Sequence, residues 1–451
     1  MTGVQTCALP ISEPADQQKQ FSADGLNLEH NQALPLVMHI DLNSCFATVE
    51  QQSRPLLRGR PVAVVNRLVE NTSVITVSYE AKAYGVKAGM KYRQAKRLCP
   101  ELVALDSDPP KYRWVYRQLL RIMNSYSPAV VMKSIDEGII DFAVAPESMR
   151  SRGLEAIGKE IKQRLRTEVG LYMRCNIGIS TNRFWAKMAA SLHKPDGLDV
   201  VTAQNILTVL ASLTLRDLTG IARHNEQRLN AVGIFTPLQM YESSPEALHT
   251  AFHSINGEKW YQRLHGWEVD DLISDVKTCG RQYVLEERNM PRQQIAARLH
   301  NLVEAVGQKL RSQRKSARGV GIYVRMAGVG SDSKLSLNNG RWGRAGNYWQ
   351  RKYLAPLPMF SDAALWRVAE ELFCQAPAGD IREIGVHCYN LYNSTSDQLS
   401  LFGDELARER QTTWAIDEIN QRYGDRTIHA ASTLNTEAVR TKIPFGSTRY
   451  L

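Results

Sequence analysis

Short apolar runs that predict strands alternate with amphipathic stretches that predict helices between residues 36 and 192. The predicted strands are Leu36–Leu42, Pro61–Val65, Ser73–Ser78, Leu102–Leu105, Val130–Met132, Ile139–Phe142 and Cys175–Ile179. The predicted helices are Ser44–Gln52, Tyr79–Tyr84, Arg93–Cys99, Tyr112–Ser125, Leu154–Val169 and Asn182–Leu192. This order predicts an α+β domain with a largely antiparallel sheet.

The pattern changes twice further along the chain. Strand signals stop after residue 203, and short helices dominate up to residue 272. From Lys277 onward we predict, in order, a helix, a strand, a helix and a strand, at Ile295–Leu310, Val320–Met326, Trp366–Phe373 and Ile384–Leu391. The Gly- and Ser-rich stretch 328–347 predicts a long loop, and Glu405–Tyr423 a charged helix. A chain of 451 residues with these changes is expected to form three or four domains.

Three acids lie where predicted strands end. Asp41 is the last polar residue of the first strand, and Asp136 and Glu137 lie at the bend of a predicted hairpin about a hundred residues later. Magnesium prefers oxygen ligands, and two-metal phosphoryl transfer uses a few carboxylates on adjacent strand ends. Spacing alone leaves a second interpretation open, in which the three acids are solvated turn residues.

Composition excludes some classes of protein. Hydrophobic residues make up 43% of the chain, and no window approaches the ~18 uninterrupted apolar residues of a membrane span. The seven cysteines are scattered, with no C-x-x-C pair, so structural zinc is not expected. These features predict a cytoplasmic protein in a reducing compartment.

The net charge of +10 is unevenly distributed. Residues 277–352 hold sixteen Lys and Arg against four Asp and Glu, whereas the remainder is nearly balanced. Aromatic residues at 323, 342, 348 and 349 are interleaved with these charges, which favours a surface for nucleic-acid phosphates. The alternative is a solvated basic face with no ligand.

Five motifs, in family order, resemble those of Y-family, translesion DNA polymerases of the bacterial polymerase IV and polymerase V type. They are Ile40–Glu50, Ser78–Val86, Gln94–Pro100, Ser134–Gly138, and Asn176–Ser180 followed by Ala186–Ala190 and Lys194–Gly197. The resemblance covers residues 36–200. It implies a DNA-directed DNA polymerase that acts in DNA damage tolerance.

The resemblance also implies a multidomain, right-hand polymerase fold of the α+β class. Its parts are expected to be a palm at 34–46 and 102–201, small fingers at 47–101, a helical thumb with a helix-hairpin-helix at 202–273, and an α/β little finger at 277–393. Residues 394–451 are expected to hold a linker, a clamp-binding motif and a tail. The first eleven residues resemble a translated sequencing adapter, so 1–33 is expected to be this scar and a disordered leader.

In this family the matching acids bind metal. The resemblance implies that Asp41, Asp136, Glu137 and the Leu42 carbonyl hold two Mg²⁺ ions, for which Mn²⁺ can substitute. The reaction implied is transfer of a nucleotide from a dNTP to the 3′-hydroxyl of a primer on template DNA. Two alternatives of other classes are a non-catalytic adaptor of the same fold and a two-metal nuclease.

The resemblance also assigns the nucleotide site. Phe46 falls at the steric gate, where a 2′-hydroxyl would clash, and the other implied contacts are Cys45, Thr76, Tyr79, Lys82 and Lys194. Three positions depart from the family pattern. Lys82 stands where arginine is usual, Lys91 where proline is common, and Asn43 where a second Asp is frequent.

DNA-holding residues are implied in two further regions. Leu218–Ala222 resembles the hairpin of a helix-hairpin-helix, with Gly220 at the phosphate-binding turn, although a plain helix–helix turn is the alternative. In the basic block, the candidate phosphate contacts are Arg325, Lys334, Arg341 and Arg344.

A short motif near the C-terminus resembles the bacterial β-sliding-clamp-binding pentapeptide. It consists of Gln398, Leu399, Ser400, Leu401 and Phe402, with Ser400 as the position to which we assign no contact. A short strand edge is the alternative. The resemblance implies the clamp as a partner, with SOS accessory proteins as further candidates, and a location in the cytoplasm at the nucleoid.

Overall fold

The computed structural model describes residues 30–271, 277–285, 289–326, 335–338, 341–344, 348–393 and 405–436. The chain divides into two compact units, with the boundary after Leu272. Among the described residues, no helix is long and apolar enough to cross a membrane. Both units combine helices with sheets, which confirms the predicted α+β class.

The first unit contains eight strands and twelve α-helices among its described residues. In chain order they are β1 (Val37–Leu42), α1 (Cys45–Ser53), β2 (Val62–Val65), β3 (Val74–Val77), α2 (Tyr79–Ala83), α3 (Tyr92–Leu98), β4 (Val103–Asp106), α4 (Pro109–Asn124), β5 (Ala129–Met132), β6 (Glu137–Asp141), α5 (Glu147–Arg150), α6 (Leu154–Arg164), β7 (Cys175–Ser180), α7 (Arg183–Leu192), β8 (Leu198–Val200), α8 (Ile206–Ala211), α9 (Arg223–Ala231), α10 (Pro237–Glu242), α11 (Pro245–Phe252) and α12 (Asn256–Leu264).

A five-stranded sheet with the order β5-β6-β1-β7-β8 carries the candidate acids. β1 lies at its centre and pairs antiparallel with both β6 and β7. Five of the six residues of β1 are buried, the first four of them in succession, which explains why its sequence is a nearly continuous apolar run. α4 and α6 contribute Leu119 and Ile157 to the core that also contains Ile40.

Two smaller parts complete the first unit. A three-stranded sheet with the order β3-β2-β4 packs with α2 and α3 around its own small core. The helices α8 to α12 form a second cluster that includes the buried Trp185 of α7. His30 and Asn31, in the segment expected to be a leader, contact this helical part: the Asn31 amide donates to the Gly266 carbonyl at 3.1 Å.

The second unit is a sheet covered by helices. Its described elements are β9 (Thr278–Val284), α13 (Arg292–Ser312), β10 (Lys315–Met326), β11 (Leu335–Asn338), β12 (Arg341–Arg344), β13 (Tyr348–Met359), α14 (Asp362–Cys374), β14 (Ile381–Asn393) and α15 (Glu405–Tyr423). The order β13-β10-β14-β9 is antiparallel throughout. α13 and α14 share an apolar core with this sheet.

An ion pair connects the C-terminal helix α15 to the rest of the second unit. The Arg311 side chain, only 3% exposed, pairs with Asp417 of α15 at 2.5 Å and with Asp362 of α14 at 2.7 Å. A buried guanidinium with two carboxylates is well compensated, whereas loss of either partner would leave a buried charge short of a contact.

The structure corrects one prediction in this unit. The stretch 328–347, predicted to be a long loop, contains the paired strands β11 and β12. Leu335 pairs with Arg344 and Asn338 with Arg341 in an antiparallel register. Polar composition and glycine content do not exclude a two-stranded hairpin, because a hairpin needs no buried face.

Candidate active site

The three acids lie together at one end of the paired strands β1 and β6, in the middle of the five-stranded sheet. Asp41 of β1 and Glu137 of β6 are direct cross-strand partners in the antiparallel register. Asp136 lies in the turn between β5 and β6, and its carbonyl accepts a hydrogen bond from the Leu42 amide at 2.8 Å. The predicted hairpin is therefore present, and it brings the two distant sequence segments together.

Cationic side chains contact two of the acids. The Lys194 ammonium pairs with Asp41. The Lys187 ammonium donates to both Glu137 oxygens, at 3.0 Å and 2.9 Å, and the His39 ring nitrogen Nε2 lies 3.2 Å from the same carboxylate. Sequence reasoning did not assign roles to Lys187 or His39. His39 carried a usable signal, since it lies two residues before Asp41 on the same face of a strand.

The pKa values of Glu137 and Asp136 are shifted in opposite directions. Burial opposes ionisation of Glu137, but hydrogen bonds from His39 and Lys187 outweigh it and hold the pKa of Glu137 at about 2. Burial raises the pKa of Asp136, and the Asp41 and Glu137 carboxylates raise it further. A hydrogen bond from the Ser134 hydroxyl offsets part of that rise.

The donor chemistry of this cluster fits a divalent cation. Three carboxylates lie together where β1 pairs with β6, and burial, followed by the Asp41 and Glu137 carboxylates, raises the pKa of Asp136. In the described part of the chain, however, no three Asp, Glu, His or Cys side chains converge as a ready metal site. Asp41 and Glu137 are instead turned towards lysines, so metal binding requires these side chains to exchange partners.

Phe46 lies at the start of α1, five residues after Asp41. Its ring stacks on Tyr112 with centroids 4.2 Å apart and planes 7° from parallel. The Tyr112 hydroxyl donates to the fully buried Glu50 at 2.8 Å, and Lys111 donates to the other oxygen of that carboxylate at 2.9 Å. The Tyr112 ring therefore packs against one face of the Phe46 ring, and the buried Glu50 carboxylate holds Tyr112 in place.

A cavity lies between Ser44, which precedes α1, and the segment 76–88. It has a volume of about 420 Å³ and is lined by Ser44, Thr76, Val77, Lys82, Val86, Lys87 and Ala88. Lys82 lies over the Tyr79 ring, with its ammonium 4.1 Å from the centroid. Burial and the neighbouring Lys194 lower the pKa of Lys82, so two cations approach each other near Asp41.

Cys45 is buried in the same core as Phe46. Its side chain is 4% exposed and belongs to the core of the five-stranded sheet. Burial and the nearby Asp136 and Asp41 carboxylates raise the pKa of the thiol well above its ordinary value. Cys45 therefore packs as a neutral, apolar side chain rather than presenting a thiolate.

The candidate DNA contacts are described in part. Gly220 has a φ of 102° in the turn before α9, as a hairpin glycine requires. Arg325 is 44% exposed and pairs with Glu383. Lys334 and the side chains of Arg341 and Arg344 lie outside the described residues, as do the pentapeptide residues Gln398, Leu399, Leu401 and Phe402.

Basic charge extends beyond the block that the sequence emphasised. Residues 47–101 carry ten Lys and Arg against four Glu and no Asp. On α3, Arg93, Lys96 and Arg97 are exposed. Residues 47–101 therefore form a second basic segment, which the near-balance of the remaining chain as a whole had hidden.

Comparisons with known proteins agree with these features. Residues 40–191 match the impB/mucB/samB family model, and residues 276–401 match the model of that family's C-terminal domain. The chain is 30% identical over 417 residues to DNA polymerase IV 1 of Bacillus subtilis (strain 168), covering 90% of this chain and 95% of the relative. It is 30% identical over 413 residues to DNA polymerase IV of Moorella thermoacetica, covering 89% of this chain and 97% of the relative.

Solved structures share the fold. A Y-family DNA polymerase chimera of Dbh and Dpo4 superposes with a TM-score of 0.64 at 21% sequence identity, over 78% of this chain and 98% of that chain. An insertion ternary complex of Dbh DNA polymerase gives a TM-score of 0.52 with the same coverage. The predicted multidomain polymerase fold is confirmed.

The contact between Tyr112 and Glu50 yields a test of stability. Tyr112→Phe keeps the stack on Phe46 but leaves a fully buried carboxylate without one donor, so we expect the free energy of unfolding to fall by about 1.5–3 kcal/mol. Tyr126→Phe is the matched control, because its hydroxyl contacts Glu160, whose side chain is 38% exposed. Urea denaturation followed by tryptophan fluorescence measures both. Equal losses in the two variants would contradict the buried-charge account.

Proposed function

Because the chain belongs to the impB/mucB/samB family and is a Y-family, translesion DNA polymerase, we propose that it extends primers by two-metal nucleotidyl transfer from dNTPs. The observation that supports this proposal is the register that pairs Asp41 with Glu137 beside Asp136. Retention of all three acids favours synthesis over a non-catalytic adaptor role. The ring of His39 contacts Glu137 but is 1% exposed, so it is poorly placed to activate the water that a nuclease would need.

In the proposed mechanism, Asp41, Asp136, Glu137 and the Leu42 carbonyl hold two Mg²⁺ ions, or Mn²⁺ in their place. When bound, these ions activate the primer 3′-hydroxyl and neutralise charge on the triphosphate. Lys194 and Lys187 would have to leave Asp41 and Glu137 for these carboxylates to hold the ions. Lys194 then turns from Asp41 to the incoming phosphates, which replace its anionic partner.

Tyr79 and Lys82 complete the grip on the triphosphate. Lys82 shares its surroundings with Lys194, and each lowers the cost of bringing phosphate into the cavity. Lysine at position 82 supplies a point charge rather than the bidentate fork of arginine. Thr76 lines the cavity and is proposed to contact the nascent base pair.

Phe46 is proposed to select deoxynucleotides. Its ring is 6% exposed and supported by Tyr112, so it cannot yield to a 2′-hydroxyl without breaking that stack. Close packing converts a difference of one oxygen atom into a clash. The same rigidity that stabilises the core therefore serves sugar selection.

Primer-template DNA is proposed to contact the basic surfaces of both units, through the Gly220 turn and through Arg325, Lys334, Arg341 and Arg344. In the second unit, Tyr323 lies on the face of the sheet opposite the helices. Its ring covers Gly385, where an added Cβ would lie 2.2 Å from a ring atom. A flat face of this kind permits close approach of a phosphate backbone.

Recruitment is proposed to use the pentapeptide 398–402 and the bacterial β sliding clamp. The motif lies between β14 and α15, both of which belong to the second unit. We further propose a cytoplasmic, nucleoid-associated location and a contribution of SOS accessory proteins, since lesion bypass takes place on chromosomal DNA.

Removal of one proposed metal ligand tests the chemistry. Asp136→Asn should lower primer extension by about a thousandfold or more, because a neutral amide cannot hold a divalent ion with its neighbours. Affinity for primer-template, measured by fluorescence anisotropy, should stay nearly constant. Asp106→Asn, at an exposed strand end, is the control and should retain activity. Wild-type rates in Asp136→Asn would refute the metal assignment.

Truncation of the gate tests sugar selection. Phe46→Ala should reduce discrimination between dNTP and rNTP by about 100-fold, measured as the ratio of kcat/KM values. Phe184→Ala is the matched control, because Phe184 is equally buried at 6% but lies on α7. Similar losses of discrimination in both variants would indicate general loosening and would count against a gate.

Loss of the apolar anchors tests clamp recruitment. Joint replacement of Leu401 and Phe402 by Ala should abolish stimulation by the clamp on a primed circular template and leave basal extension unchanged. Leu434→Ala truncates the side chain of a residue that is 70% exposed in the same C-terminal segment, and it should leave stimulation intact. Undiminished stimulation in the double variant would overturn the motif assignment.

A further inference from the structure

Asn43 uses both atoms of its side-chain amide to join two separate elements near Asp41. Its Nδ2 donates to Asn176 Oδ1 on β7 at 2.8 Å, and its Oδ1 accepts from the Asp196 backbone amide at 2.9 Å. The side chain is 3% exposed, so neither contact is weakened by water. An amide that is fully bonded inside a protein orients the groups it joins.

Asn176 continues this network to the other side of Lys194. It is fully buried, and its Nδ2 donates to the His193 carbonyl at 3.0 Å. The paired amides therefore hold the backbone one residue before Lys194 and two residues after it. Gly197 allows this closure, since a Cβ there would lie 2.2 Å from the His193 carbonyl oxygen and 2.9 Å from Asn176 Nδ2.

The same loop is held from α6 and the turn that follows it. Lys162 donates to the Gly197 carbonyl at 3.1 Å and to the Asp196 carbonyl, and Arg166 pairs with the Asp196 carboxylate. These contacts hold Asp196 and Gly197, which follow Lys194 in the loop, and none of them involves Lys194 itself. The Lys194 side chain is 35% exposed and reaches Asp41.

We infer that Asn43 and Asn176 are positioning residues that set the backbone of Lys194 so that its ammonium reaches the nucleotide triphosphate. This inference rests on the proposed role of Lys194 in binding dNTP. It also explains why asparagine serves at position 43. An aspartate there can only accept, so Asn176 would have to turn its Nδ2 towards position 43 and lose its hydrogen bond to the His193 carbonyl.

The backbone of Asn43 is held independently of its side chain. Its amide donates to the Arg174 carbonyl at 2.9 Å, and its carbonyl accepts from the Thr48 hydroxyl at 2.6 Å. Truncation of the side chain therefore leaves β1, with Asp41 and Leu42, in place. A variant at this position reports on the loop and on the Tyr79 hydroxyl, which also hydrogen-bonds the Asn43 side chain, rather than on the carboxylates.

The experiment is a double-mutant cycle read by single-nucleotide incorporation in the full-length protein. Lys194→Ala should raise the KM for dNTP by about tenfold, and Asn43→Ala should raise it by about fivefold, with a smaller change in kcat in each case. Added to Lys194→Ala, the Asn43→Ala change should alter KM by less than about twofold, because its effect passes through the missing lysine. Asn176→Ala should behave like Asn43→Ala, and Asn43→Asp should give an intermediate KM.

Asn205→Ala is the matched control for loss of two amide hydrogen bonds. Asn205 accepts from the Thr202 amide at 2.9 Å and donates to the Val200 carbonyl at 2.8 Å, away from the proposed nucleotide contacts. It should leave the KM for dNTP unchanged, and thermal midpoints of all variants establish that each is folded. Full additivity of Asn43→Ala and Lys194→Ala, or an unchanged KM in folded Asn43→Ala and Asn43→Asp, would overturn the inference. An unchanged KM in Lys194→Ala would instead remove the proposed triphosphate contact on which it rests.

Discussion

Repulsion among three carboxylates at one sheet edge is the constraint on which the site depends. The antiparallel register makes Asp41 and Glu137 direct neighbours and leaves Asp136 beside them. Such a cluster is tolerated only where cations and hydrogen-bond donors compensate it. In this protein Lys187 of α7 contacts Glu137, and Lys194 in the loop between α7 and β8 contacts Asp41.

This compensation links structure to chemistry. Burial opposes ionisation of Glu137, yet hydrogen bonds from His39 and Lys187 hold its pKa at about 2. In the proposed mechanism, divalent ions would replace the lysines beside the carboxylates, and the triphosphate would replace Asp41 beside Lys194. The inferred role of the Asn43–Asn176 pair is to hold the backbone of the loop that carries Lys194, while the Lys194 side chain changes partner.

Local signals predicted a large part of this structure. The apolar run of β1 and the hairpin at Asp136 and Glu137 follow from short-range patterns, and the α15 boundaries at Glu405 and Tyr423 were also anticipated. β13 was missed because it is an edge strand that contains Pro356 and Pro358 and has many exposed residues, so it lacks apolar alternation. Contacts between residues far apart in sequence, such as Lys187 with Glu137 or Asn43 with Asp196, left no pattern in the sequence. The family resemblance supplied polymerase and lesion bypass, which the acids by themselves do not specify.

The most direct test of this account is the number of metal ions that the site binds when substrate is present. Electron paramagnetic resonance of free Mn²⁺ measures this in the complex with primer-template and a non-hydrolysable dNTP analogue. The account predicts two bound ions per protein in the wild type and a loss of binding when Asp41, Asp136 and Glu137 are all replaced by Asn. Equal Mn²⁺ binding by the wild type and the triple variant would contradict the central claim that these carboxylates form the catalytic metal site.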